Sequence, residues 1–107
     1  MEKLLRNTLL YDFYGELLTE RQKNIHHMYF FEDMTMEEIG ERLEITRQSV
    51  NHSLKQAQKN LENFEEKLGI IALHDAAKTH MTALGRALVG HDLECARTTL
   101  GQLRELF

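Results

Sequence analysis

Residues 35–59 read TMEEIGERLEITRQSVNHSLKQAQK, and this stretch holds two helix-start signals a short turn apart. Thr35 followed by Glu38 is a capping box: the threonine hydroxyl accepts from a backbone N–H of the first helical turn, and the glutamate reaches back to the threonine N–H. Ile39 and Leu43 then fall one turn apart on an apolar face. After Glu44 and Ile45, Thr46 is placed to cap a second helix in which Val50 and Leu54 repeat that spacing. Two short amphipathic helices joined so tightly must cross at a steep angle, with the second projecting its outer face into solvent. That is the helix-turn-helix arrangement.

The second helix is predicted to run from Arg47 to Leu68, with Gly69 as the C′ residue. Its apolar positions are Val50, Leu54, Ala57, Leu61, Phe64 and Leu68. A helix of that length spans about 33 Å, longer than groove reading requires, and the alternating four- and three-residue spacing is what another helix demands for knob-into-hole packing. Two covers fit this seam equally: the C-terminal part of the same chain, or a second copy in a homodimer. Opposite the seam, at 100° per residue, lie Gln48, His52, Lys55 and Lys59, flanked by Arg47 and Asn51. Amides suit adenine, arginine suits guanine and lysine suits phosphate, so these six residues form the candidate nucleic-acid or partner surface. An ordinary solvated polar face fits the same residue types.

Upstream, Leu10, Phe13, Tyr14 and Leu17 predict a helix from near Glu2 to Leu17. A second capping box, Thr19 with Gln22, opens a helix to about Phe31. Tyr29, Phe30 and Phe31 are expected in the core, because a small helical domain without tryptophan needs their volume. Downstream, two helices separated near Gly90 are predicted. The first has one stripe of Ile70, Leu73, Ala77, Met81, Leu84 and Leu88 and another of Ala72, Ala76, Ala83 and Ala87. The last, capped by Asp92, carries Leu93, Ala96, Leu100, Leu103 and Phe107.

The chain of 107 residues lacks proline and tryptophan and is read as one all-α domain. Residues 1–69 make up a wingless helix-turn-helix part with a long third helix, and residues 70–107 a helical hairpin for interaction. A chain of this size buries about two thirds of its unfolded surface, leaving no room for a large catalytic cleft. The formal charge is −4, unlike the basic excess of a protein that grips phosphate, although Thr46–Asn60 holds Arg47, Lys55 and Lys59 and no acid. Among the six histidines, adjacent His26 and His27 point about 100° apart, and His74 with His80 lacks the i, i+4 spacing of paired ligands, so boundary or surface positions are expected. The sequence has no HExxH, phosphate-binding glycine loop or nucleophile elbow. It predicts no enzyme, no cofactor and no metal, and Cys95 is expected as a small boundary residue. No apolar run approaches membrane-spanning length and none resembles a signal peptide, so a cytoplasmic location without membrane insertion is expected.

The segment Leu9–Gly69 resembles the YlxM family of small bacterial proteins. The resemblance rests on Asp12-Phe13-Tyr14-Gly15, Leu18-Thr19-Glu20 with Gln22, Glu38-Ile39-Gly40 and Thr46-Arg47-Gln48-Ser49-Val50, with aromatic packing before Glu32-Asp33. It implies a helix-turn-helix fold like that of sigma-factor promoter-reading domains, and a regulatory association with the signal recognition particle, its GTPase and its RNA. Duplex DNA, read by a dimeric regulator, is the alternative partner. The chain departs from the usual pattern in having Glu44 where such units place glycine in the turn. A side chain held there at positive φ costs about 1 kcal/mol.

Overall fold

A computed structural model describes residues 2–107, and among them the secondary structure is helical throughout. Helix α1 spans Glu2–Tyr14, followed by a 3₁₀ turn over Gly15–Leu17. Next come α2 (Glu20–Phe30), α3 (Met36–Leu43), α4 (Arg47–Leu68), α5 (Ile70–Val89) and α6 (Leu93–Glu105). The chain divides into two compact units, one ending at Leu68 and the other comprising Gly69–Phe107.

Local chemistry starts α2, α3 and α4 where the caps predict. Thr19 Oγ1 accepts from Gln22 N and Thr35 Oγ1 from Glu38 N, each at 3.1 Å, with the Gln22 and Glu38 side chains returning the bond at 3.1 Å. Thr46 Oγ1 accepts from Ser49 N at 3.0 Å to open α4. Each such cap stabilises a helix start by about 1 kcal/mol. Helix α1 departs from expectation in stopping at Tyr14. The chain has only Gly15–Leu18 in which to turn toward the Thr19 cap, so it tightens into a 3₁₀ turn. Leu17 is left exposed, while Leu18 enters the core. Gly15 packs under the Tyr11 ring, where a Cβ would meet ring carbons at 3.0 Å.

Ile25, Ile39 and Val50 form the centre of the helix-turn-helix core, surrounded by Met28, Tyr29, Met34, Met36, Leu43, Ile45 and Leu54. The seam of α4 is closed inside this unit: Val50, Ala57 and Leu61 are at most 1% exposed, and α4 packs against α1, α2 and α3. Over Val50–Leu61, therefore, the cover is the N-terminal helices and neither of the two covers the spacing left open. Tyr14, also buried, donates from its hydroxyl to Glu65, and Arg6 grips Glu62 through two bonds of 3.2 and 2.9 Å. These tie α1 along α4.

In the second unit α5 packs on α6. Asp92 caps α6 by accepting from Cys95 N at 3.0 Å. The buried residues are Ile71, Ala77, Ala87, Ala96 and Thr99. This corrects the predicted apolar stripes, since Ile70, Met81, Leu88, Leu93 and Leu100 are exposed. Two helices have one contact face between them, so side chains on the rest of a broadly apolar circumference stay in solvent.

Candidate nucleic-acid or partner interface

The turn between α3 and α4 keeps the helix-turn-helix geometry despite its glutamate. Glu44 adopts the left-handed conformation, φ 58° and ψ 43°, and Ile45 N donates to Gly40 O at 2.9 Å. The close approach is made possible at Gly40: a Cβ there would lie 2.7 Å from the Ile45 carbonyl oxygen, a backbone atom that cannot swing aside. Presentation of the α4 N-terminus thus rests on one small residue and one strained one.

Gln48, His52, Lys55 and Lys59 are all exposed on α4, as is Arg47, while Asn51 is half-buried. Arg47 is not a free cation. Its Nε donates to Glu37 Oε1 at 2.6 Å across the turn. The Glu37 carboxyl is held below its ordinary range, first by a backbone hydrogen bond and then by Arg47. Both side chains are more than half exposed, so solvent screens the pair and it adds little to stability, but it neutralises the first basic residue of the stripe. Helix α3 and its cap add Glu38, Glu41 and Glu44, all exposed.

Arg21 on α2 escaped the sequence reading. It lines a shallow depression with Gln48, Ser49, His52 and Ser53, and among the described residues no ion pair engages it. The crossing of α2 and α4 brings it there, and its position two residues after the Thr19 cap gave no sign of that neighbour. The polar face therefore has Arg21, Lys55 and Lys59 as its unpaired cations.

His26 corrects another expectation. It is 4% exposed, stacked on Tyr11 with ring centroids 4.0 Å apart and an interplanar angle of 3°, and 4.5 Å from Phe30. Neither ring nitrogen has a hydrogen-bond partner among the described residues. Burial, with a smaller push from His27, lowers its pKa to about 4, so it is a neutral aromatic filler at pH 7. Of the aromatic run, Tyr29 joins the core while Phe30 and Phe31 remain 37% and 56% exposed. Among the described residues no cluster of three or more His, Cys, Asp or Glu is arranged to hold a metal ion. Cys95 is exposed, and no helix is long and apolar enough to cross a membrane.

Comparison with known proteins agrees with this architecture. Residues 1–93 match the model of a helix-turn-helix family described as YlxM/p13-like, UPF0122. A UPF0122 protein of Thermoanaerobacter sp. (strain X514) is 54% identical over 67 residues, covering 63% of this chain and 57% of the relative. The chain thus spans little more than half the length of that relative. Over greater lengths, a UPF0122 protein of Symbiobacterium thermophilum is 36% identical across 97% of both chains, and one of Listeria monocytogenes is 36% identical across 98% of this chain and 97% of the relative. With its capped helix-turn-helix core and a family match over most of its length, the chain belongs to the UPF0122 family of YlxM/p13-like helix-turn-helix proteins.

Proposed function

We propose that this chain is a non-enzymatic accessory or regulatory factor of the signal recognition particle, binding the particle's GTPase, its RNA or both through the helix-turn-helix unit. One observation carries the choice over duplex DNA. The acidic side chains of α3 and its cap stand beside the start of α4, and Glu37 already occupies Arg47. A helix-turn-helix unit docked on a duplex brings its first helix alongside the phosphate backbone, where Glu38, Glu41 and Glu44 outnumber the one cation of that helix, Arg42, and would repel it. Three unpaired cations give a salt slope of roughly −3 per subunit, below the 6 to 10 phosphate contacts of an effective duplex binder. Exposed apolar side chains on α5 and α6 support a homodimer, for which sedimentation at micromolar concentration should return twice the chain mass. A cytoplasmic location follows from this role.

The second reading, a DNA-binding regulator, draws on the exposure of Gln48, His52, Lys55 and Lys59. Variant binding separates the two. Under the regulator reading, Gln48→Ala relaxes preference at one base position, while Lys55→Ala weakens all sequences alike and shallows the salt slope by about one. Under the accessory-factor reading, duplex binding is weak and indifferent to sequence before any substitution, and Lys55→Ala or Arg21→Ala weakens association with the particle's RNA. A base preference that Gln48→Ala removes would favour the regulator.

A further inference from the structure

The second unit has two unlike sides. Helices α5 and α6 pack on each other across a connection of residues 90–92, which makes them antiparallel. His80 and Ala87 on α5, and Thr99 and Leu106 on α6, are buried or half-buried and stand seven residues apart in each pair. One residue after each of these comes an exposed apolar side chain: Met81, Leu88, Leu100 and Phe107. Leu106 keeps helical backbone angles, so Phe107 continues the line of α6. One residue before each comes an exposed polar one: Thr79, Arg86, Thr98 and Glu105. A step of one residue turns a helix by about 100° in the same sense on both helices. An antiparallel pair has a two-fold axis that exchanges its helices without exchanging its sides. The four apolar side chains therefore share one side of the hairpin, and the four polar ones share the other.

The apolar side is a ladder. Leu93 lies seven residues before Leu100, so Leu88 and Leu93 form a rung beside the connection. Met81 and Leu100 form the next, about 10 Å farther along the helices. These four and Phe107 are between 43% and 83% exposed. With on the order of 100 Å² free on each, two copies of the face would bury on the order of 1,000 Å², where specific interfaces begin. Charge and repeat then select the occupant. Residues 69–107 hold four basic and four acidic side chains, so a nucleic acid finds no cationic excess here, while two copies meet without net repulsion. A ladder with a seven-residue repeat is filled by another of the same repeat, which a second copy supplies at every rung. We propose that a second copy of this chain docks on this side about a two-fold axis, closing both hairpins into a four-helix bundle with a layer of four apolar side chains at each rung. The contact specifies the homodimer proposed above and does not depend on the signal recognition particle. A dimer of micromolar strength adds little stability at micromolar protein, so the contact shows in mass rather than in melting.

Sedimentation equilibrium of the full chain tests this. Wild type should pass from monomer to dimer over micromolar concentrations. Leu100→Glu and Leu100→Lys each place like charges in one layer and should weaken association at least thirtyfold. Thr98→Glu, on the polar side, should change it less than twofold. Mixing the two Leu100 variants sets opposite charges in that layer and should strengthen association at least tenfold over either alone, a recovery that a misfolded hairpin would not give. Wild type that stays monomeric throughout overturns both the contact and the homodimer. If that monomer binds the particle's GTPase and Leu100→Glu weakens the binding, the face belongs to the GTPase instead. A dimer that withstands both Leu100 variants, that Thr98→Glu weakens equally, or that mixing fails to recover overturns the contact and leaves the homodimer standing on another surface.

Discussion

The two units of this chain use similar helices to different ends. In the first, four helices surround side chains that water does not reach: Leu10, Tyr14, Ile25, Ile39, Val50 and Leu61 are at most 1% exposed. In the second, no residue is less than 5% exposed, and Met81, Leu88 and Leu93 are each more than half exposed. Charge divides as unevenly. Residues 1–68 hold nine basic and thirteen acidic side chains, and residues 69–107 hold four of each. A core needs enough layers to enclose its apolar faces, and a helical pair does not supply them. The comparison assigns the fold's stability to the first unit and leaves the second as a neutral, apolar surface.

The contrast is sharpest in substitutions that bury a charge. Val50→Asp places an unpaired carboxylate in the centre of the first core, which costs several kcal/mol and rivals the stability of a small domain. Cooperative melting followed by circular dichroism should be lost. Leu88→Asp, on an exposed face of α5, should change stability by no more than about 0.5 kcal/mol. Equal damage from both would erase the distinction between the units.

Acid should loosen the first unit through His26. Its folded pKa of about 4 lies below the ordinary 6.5, so between those values the unfolded chain takes up a proton that the folded chain refuses. Stability is therefore full above pH 6.5 and falls as pH drops toward 4, by about 3 kcal/mol in all. Urea midpoints at pH 7 and pH 4.5 measure the loss, and His26→Phe, which keeps the aromatic stack, should remove most of it. An undiminished acid loss in His26→Phe would place the effect elsewhere.

Smaller effects test the turn. Gly40→Ala forces a methyl against the Ile45 carbonyl oxygen and should cost about 1 to 3 kcal/mol. Glu44→Gly relieves a left-handed glutamate and should stabilise by about 1 kcal/mol. Opposite signs from two neighbouring turn positions in thermal melts would confirm that the turn retains its geometry at a local cost. A destabilising Glu44→Gly would show that the glutamate contributes something beyond its backbone conformation.

What could be read from the sequence was local. The Thr19, Thr35 and Thr46 caps and the extent of α4 from Arg47 to Leu68 depend on residues within a few positions of one another, and they stand as read. The α4 stripe was legible because its opposite face is apolar at regular spacing. What was missed depends on which helices cross. His26 is buried because Tyr11, fifteen residues earlier, stacks on it. Arg21 joins the polar face because α2 crosses α4 there. The Arg47–Glu37 pair spans the turn and reverses the value of the residue that had looked best suited to a guanine. On α5, apolar and alanine stripes together cover so much of the helix that periodicity could not select the packed side.

The central functional claim is that the helix-turn-helix unit serves the signal recognition particle rather than duplex DNA. Fluorescence anisotropy near 0.15 M salt, a physiological ionic strength of about that value, tests it with three targets in parallel: the particle's RNA, its GTPase and a duplex of mixed sequence pools. The account predicts saturable binding to the GTPase, the RNA or both, and weak duplex binding without sequence preference. Tight, sequence-selective duplex binding with no measurable association with either component of the particle would contradict it.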